Sequence, residues 1–435
     1  MNRVYLDYNA TTPVAPAVLD AMLPYLRENF GNASSIHTFG QKTRSAVETA
    51  RELVAALIGA KPSEIVFTSG GTESDNHAIF GAISELLVAP ALLPGPPSEA
   101  TFHSQHEMQN RTARSGCAAK TESASSAPHV ITTVIEHEAV LNACQELERQ
   151  GASVTYLPVE ADGRISLDDL RAAIRSETKL ITVMHTNNEL GTVQNLTAIG
   201  EMVADTDVYF HTDAVQSAGK LPIDVNSLHV DLLSLSAHKL YGPKGVGALY
   251  IREKTKLRQF LFGGHHQRGL RPGTENVAGI VGLGKAAELA SQLWQQDAQR
   301  IAALRDKLEQ GLLAKVPQVR VNGVPSASAS AKVPRAPNTS NLLFPGVEGE
   351  ALLISLDLKG IACSTGAACS SGAVEPSHVL TAIGLSAEEA RASLRFSLGR
   401  PTTEAEITRA LEIIPAAVAN LRALSPTYRK EAATR

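Results

Sequence analysis

The chain has 435 residues, 43% hydrophobic and 19% charged, with a formal net charge of −4. That length exceeds one compact core, so two domains are expected. The small net charge, with no Lys/Arg-rich stripe, points away from nucleic-acid and membrane-surface partners, and no apolar run is long enough to span a membrane.

In chain order, "MNRVYLDYNATTP" enters a strand directly without a signal or transit peptide, which implies a cytoplasmic location. "SAVETARELVAALIGA" puts Val47, Ala50, Val54, Leu57 and Ile58 on one helical face and stops at Gly59. "EIVFTSGGTES" reads as a strand breaking into a Gly-rich turn, with a helix from about Asp75 to Leu87. Residues 90–128, rich in Pro, Ser and Ala and without periodicity, read as a disordered or loosely packed insertion. His103, His106, Cys117 and His129 fall in or beside it at spacings that match no zinc pattern, so no intrinsic metal is expected. Nor do the four cysteines (Cys117, Cys144, Cys363, Cys369) suggest a disulfide framework.

"HVITTVIEHEAV", "KLITVMHTNNELG", "DVYFHTDAVQ" and "VDLLSLSAHK" are strands that end in polar residues. Strands alternating with helices predict a mostly parallel sheet covered on both faces, with ligands gathering beyond the strands' carboxyl ends. From about 263 the chain reads as a second α/β unit, with a loop "PSASASAKVPRAP" at 325–337 and a closing helix over 403–424.

The chemistry sits at those strand ends. Backbone N–H groups of "SGGT" (Ser69–Thr72) and the Thr72 hydroxyl suit a phosphate, although such turns are common. Asp213 ends an apolar strand, where a carboxylate either caps a helix or meets a cation. His137 also follows a strand. Within "VDLLSLSAHKLYGPKGVGALYI", Lys239 stands between two buried strands, a costly place for an ammonium. A phosphate cradle, an acid, an imidazole and a lysine at strand ends are together what pyridoxal 5'-phosphate requires. The lysine forms an imine, the acid keeps the pyridine nitrogen protonated and the imidazole stacks on the ring.

The chain resembles the cysteine desulfurases, fold-type-I pyridoxal-phosphate enzymes of the class V aminotransferase superfamily. The motifs "YLDYNATTP", "FTSGGTESDN", "EHEAV", "MHTNNELGTVQ", "HTDAVQSAGKLPID", "SAHKLYGPKGVGALY", "RGLRPGTEN", "STGAACSSGAVEPSHVL" and "LRFSLGR" run in family order from Tyr5 to Arg400. The resemblance implies a large cofactor domain over 15–262 and a small domain from 1–14 and 263–435. It implies that Gly71, Thr72, Ser236 and His238 hold the cofactor phosphate, joined by Thr274 from the partner subunit of a homodimer. Asp213 would pair with the pyridinium nitrogen, Gln216 with the ring hydroxyl and His137 with the ring face. Asn188 and Arg395 would take the carboxylate of L-cysteine, an assignment suited to a planar guanidinium; without the resemblance, Arg395 reads as a strand-edge surface residue.

Small residues surround Cys369 in "ACSTGAACSSGAVEP", which predicts a flexible loop over about 363–375. Cys369 occupies the family's sulfur-acceptor position, while Cys363 in the apolar "GIACS" is expected to be buried. The implied reaction removes sulfur from L-cysteine, leaving L-alanine and a persulfide on Cys369. That sulfur would pass to an iron–sulfur scaffold or a tRNA-thiolation carrier, and Cys369 could transiently ligate a cluster with such a scaffold. The alternative is a selenocysteine lyase or another class V enzyme.

Overall fold

The structure, a computed structural model, describes residues 3–88, 127–325, 334–366 and 375–424. The 90–128 insertion, apart from its last two residues, therefore lies outside the described residues, as do most of the 325–337 loop and the stretch holding Cys369. The strands are β1 (Val4–Tyr5), β2 (Ile65–Thr68), β3 (His129–Thr133), β4 (Ser153–Leu157), β5 (Thr178–Thr182) and β6 (Tyr209–Asp213), then β7 (Leu232–Ser236), β8 (Gly247–Ile251), β9 (Arg320–Asn322), β10 (Thr339–Leu343), β11 (Ile361–Ala362) and β12 (Ser393–Ser397). The helices are α1 (Pro16–Arg27), α2 (Thr38–Leu57), α3 (Gly71–Val88), α4 (Glu138–Arg149), α5 (Leu167–Ala173) and α6 (Leu196–Val203), then α7 (Val277–Lys315), α8 (Gly349–Leu358), α9 (His378–Ala382), α10 (Ala387–Arg391) and α11 (Glu404–Leu424).

Seven strands form the main sheet in the order β2-β8-β7-β6-β5-β3-β4. Only β8 runs against its neighbours β2 and β7; the other pairings in the sheet are parallel. The apolar run through 230–251 is thus two adjacent antiparallel strands joined by the Lys239 turn. Successive side chains leave opposite faces of the sheet. Ile131 and Ile181 enter a core that also holds Val54 and Phe210, while Val130 and Leu180 face Ile79, Val140 and Leu147 from α3 and α4. Burial on both faces explains why these strands read as continuous apolar runs.

A smaller sheet, β12-β10-β9, builds a second core in which Leu342 and Phe396 pack with Leu352, Ile407 and Ile414. The N-terminal strand β1 pairs with β11 of this unit. The long α7 serves both cores. Leu283 and Ala287 near its start pack in the first, and Leu308 and Leu312 near its end in the second.

Two helices begin earlier than their apolar periodicity indicates. α2 starts at Thr38, because the His37 side chain accepts from Gly40 N and the buried positions of the first turns are Gly40 and Thr43 rather than large apolar residues. α3 starts inside the Gly-rich turn, at Gly71. The closing helix matches its expected range to within one residue.

Candidate active site

Eleven of the twelve residues singled out above lie in described segments, and ten of these line one cavity of about 430 Å3 at the carboxyl ends of β6 and β7. They are Gly71, Thr72, His137, Asn188, Asp213, Gln216, Ser236, His238, Lys239 and Arg395. Thr274 does not reach this cavity; it lies exposed on the segment before α7. Cys369 falls outside the described residues, but Gly366, just ahead of its segment, lines the cavity wall.

One end of the cavity could hold an anion because of where α3 begins. Its first N–H groups have no partner within the helix and attract an anion. A Cβ at Gly71 would stand 2.9 Å from Val215 Cγ2 and 3.7 Å from Ser236 Cβ, so only glycine keeps this approach open. Across from it, His238 Nδ1 meets Thr11 Oγ1 at 3.1 Å. Burial, reinforced by Lys239, Lys244 and Lys220, pushes the His238 ring down to about 4, so it is neutral at pH 7 and one ring nitrogen carries a proton to donate.

Asp213 ends β6 with one carboxylate oxygen accepting from Val215 N at 2.8 Å. Burial raises its carboxyl above the usual range, opposed by the neighbouring His137, the bond from Val215 N and the Lys239 amine. Asp75, buried beneath it on α3, is raised further by burial and by Asp213, and its Oδ1 has no hydrogen-bond partner. Of two carboxyls sharing one dry site, Asp75 holds a proton more tightly, which leaves Asp213 the better placed to face a cationic group. His137 is the N-cap of α4: its Nδ1 accepts from Ala139 N at 3.1 Å, which places the ring proton on Nε2.

Lys239 closes a short 3-10 turn after β7. Its amine donates to the carbonyl oxygens of Asn9 and of Ala10, the latter at 2.8 Å. Sequence reasoning missed these two carbonyls, since backbone acceptors in "YLDYNATTP" carry no side-chain signal. Asn9 is a hub: its Nδ2 donates to Asn188 O and Thr339 Oγ1, and its carbonyl also accepts from Gln216 Nε2.

Arg395 is not a surface residue, although β12 is an edge strand. It is 2% exposed, with Nη2 2.8 Å from Asp7 Oδ1 and Nη1 3.0 Å from Asn188 O. Its Nε is buried without a partner. The guanidinium is thus oriented by Asp7 and lines the cavity with donor capacity to spare, so it could hold a carboxylate there.

The remaining cysteines are poor nucleophiles. Burial pushes the Cys144 and Cys363 thiols up to about 12; Cys117 lies outside the described residues. His129 spends both ring nitrogens on Thr178 and Thr155 hydroxyls, and among the described residues no cluster of His, Cys, Asp and Glu could hold a metal. No helix of the described residues is long and apolar enough to cross a membrane.

The family described as "Aminotransferase class-V" matches residues 4–89 and 109–410. A cysteine desulfurase of Trichormus azollae is 48% identical over 432 residues, covering 99% of this chain and 97% of that protein. Among solved structures, a "NifS-like protein" superposes with a TM-score of 0.80 at 34% identity, covering 96% of this chain and 100% of that one. Another, "SspA in complex with cysteine", is 37% identical with a TM-score of 0.72, covering 91% and 98%. The chain belongs to the class-V aminotransferases, in their cysteine desulfurase branch.

Proposed function

We propose that this desulfurase works with pyridoxal 5'-phosphate held in the cavity described above and collects the sulfur on Cys369. The observation that carries the reading is the single cavity joining Lys239, Asp213, His137, Asn188 and Arg395 to the start of α3. The donor set fits the cofactor. The α3 terminus, Thr72, Ser236 and His238 suit its phosphate, Asp213 its ring nitrogen, Gln216 its ring hydroxyl, His137 its face and Lys239 its aldehyde. When bound, the cofactor supplies an electron-accepting ring that permits bond breaking beside the substrate amine.

The chain's own residues do the rest. Arg395 and Asn188 bind the substrate carboxylate and fix which bond faces the cavity. The Lys239 amine, once free, takes the α-proton and returns it, and His137 Nε2 moves a proton at the substrate thiol. Cys369 Sγ, as thiolate, attacks the substrate sulfur. An S–S bond forms as the C–S bond breaks, the electron pair stays with the carbon skeleton, and protonation there releases alanine. The persulfide sulfur then passes to an acceptor such as an iron–sulfur scaffold protein.

A homodimer completes this reading. Leu26, Phe30, Ile36 and Phe39, on and between α1 and α2, are 61%, 74%, 91% and 58% exposed, and the Phe30 and Phe39 rings lie 5.7 Å apart. So large an open apolar face suits a second copy, and exposed Thr274 would then reach the partner's phosphate site.

Arg395→Ala is expected to raise KM for L-cysteine about 30- to 150-fold, a loss of about 2–3 kcal/mol, with the cofactor spectrum intact. Steady-state kinetics beside an absorbance scan checks this. Equal loss of cofactor would make Arg395 a structural residue. Asp7, freed of its partner, keeps 18% of its side chain in water, so the variant should fold.

The family match skips residues 90–108. Deleting them is expected to leave turnover with a small reductant within about twofold, since none of the cavity-lining residues is among them and closure entropy changes only slowly with chain length. Loss of turnover in a folded deletion variant would tie the insertion to the site or to the partner.

A further inference from the structure

Lys220 lies seven residues beyond Asp213 and has no role in the scheme above. Its Nζ donates to Gln216 O at 2.9 Å and to Gln216 Oε1 at 3.1 Å. Gln216 in turn donates from Nε2 to Asn9 O at 2.9 Å, and that same carbonyl accepts from Lys239 Nζ. Two amines thus converge on one short hydrogen-bonded chain. A second cavity, of about 30 Å3, lies behind them and is lined by Lys220, Lys239, Tyr241, Asp297 and Arg400. That volume admits a water between polar groups.

We propose that Lys220 is a positioning residue for Lys239: it locks the Gln216 carboxamide against the Asn9 carbonyl, and its charge eases the proton off the Lys239 nitrogen. Two like charges drawn onto one wall disfavour each other's protonated forms, and a nucleophilic lysine is useful only when it is deprotonated. Burial first, then Lys239 and Arg395, push the Lys220 amine down to about 7, so it changes charge near neutral pH. The other groups that bear on this pair are His238, which feels both lysines, and Asp213, which feels Lys239 and His137. The carboxamide lock also presents the Gln216 amide at a fixed angle, which is where the cofactor's ring hydroxyl would bond.

The inference rests on Lys239 carrying the cofactor, and the test separates the two. The wild type, Lys220→Met and Lys220→Arg are reconstituted with pyridoxal phosphate, and the pH midpoint of the visible absorbance change is measured for each. Lys220→Met, which keeps the stem and removes the charge, should raise the midpoint by about one pH unit. Lys220→Arg, with a charge that does not titrate, should lower it or leave it at the wild-type value. A residue needed only for folding would move both variants the same way or weaken cofactor retention in both. An unshifted or lowered midpoint in Lys220→Met, or a raised one in Lys220→Arg, overturns the proposal. If Lys220→Met does not fold, Lys220→Gln, neutral and able to bond Gln216, takes its place with the same expected rise. A wild type that shows no visible band after reconstitution overturns instead the assignment of Lys239.

Discussion

Lys239→Ala is expected to yield a folded protein that no longer holds pyridoxal phosphate covalently and turns over L-cysteine at least about 10³-fold more slowly. Folding should survive because the turn does not depend on the amine. Ala237 is fully buried beneath it, β7 and β8 pair along their whole length, and Asn9 O keeps its bond from Gln216. The Ala10 carbonyl loses a donor, a modest cost at a site open to the cavity. The activity falls for two reasons. The cofactor loses its anchor, and the amine that shuttles the α-proton is gone. Borohydride treatment followed by peptide mass analysis gives a sharp reading: the wild type should carry the reduced cofactor on the peptide containing Lys239, and the variant on no peptide. Covalent cofactor retained in Lys239→Ala, on Lys220 or Lys244 for example, would show that the wrong lysine was chosen.

The parts of the site that were legible in sequence are those where a side chain interrupts a strong pattern. Asp213 and Ser236 end strands whose every residue is apolar or buried, and Lys239 closes the turn that follows one of them, so polar atoms there demand a reason. Backbone groups leave no such mark. The Asn9 and Ala10 carbonyls that hold Lys239 lie 230 and 229 residues away in sequence. Arg395 is the same lesson on a side chain. "SLRFS" is a plain edge strand until Asp7, 388 residues earlier, comes to rest 2.8 Å from its guanidinium. The early starts of α2 and α3 were hidden for another reason: Gly40 and Thr43 fill the buried positions of the first turns of α2, and Ser74 and Asp75 those of α3, and a periodicity built on large apolar residues does not register them. The sharing of α7 between two cores depends on helix packing, which no single periodic stretch encodes.

Cys369→Ser is expected to bind pyridoxal phosphate and L-cysteine as the wild type does, yet release alanine and sulfide at least about 10³-fold more slowly. Serine is nearly the same size, so the substitution changes little but the nucleophile. An oxygen is far less reactive toward sulfur and cannot carry a persulfide. The described residues on either side of the segment support its placement. Gly366 lines the cavity, and at the other end Ser377 Oγ donates at 2.7 Å to Glu189. Glu189 follows Asn188, which lines the cavity, and a Cβ on Gly366 would lie 2.5 Å from the same carboxylate oxygen. Both described stems therefore converge on one buried acid next to the cavity. Cys144 and Cys363, held as thiols by burial, offer little competition. Mass spectrometry of the wild type after L-cysteine, without reductant, should find added mass of about 32 Da on the peptide containing Cys369, as persulfidation requires. The same peptide in the variant should gain nothing. Wild-type turnover in Cys369→Ser, or a persulfide confined to Cys117, Cys144 or Cys363, would remove Cys369 from the mechanism and leave the sulfur with another acceptor.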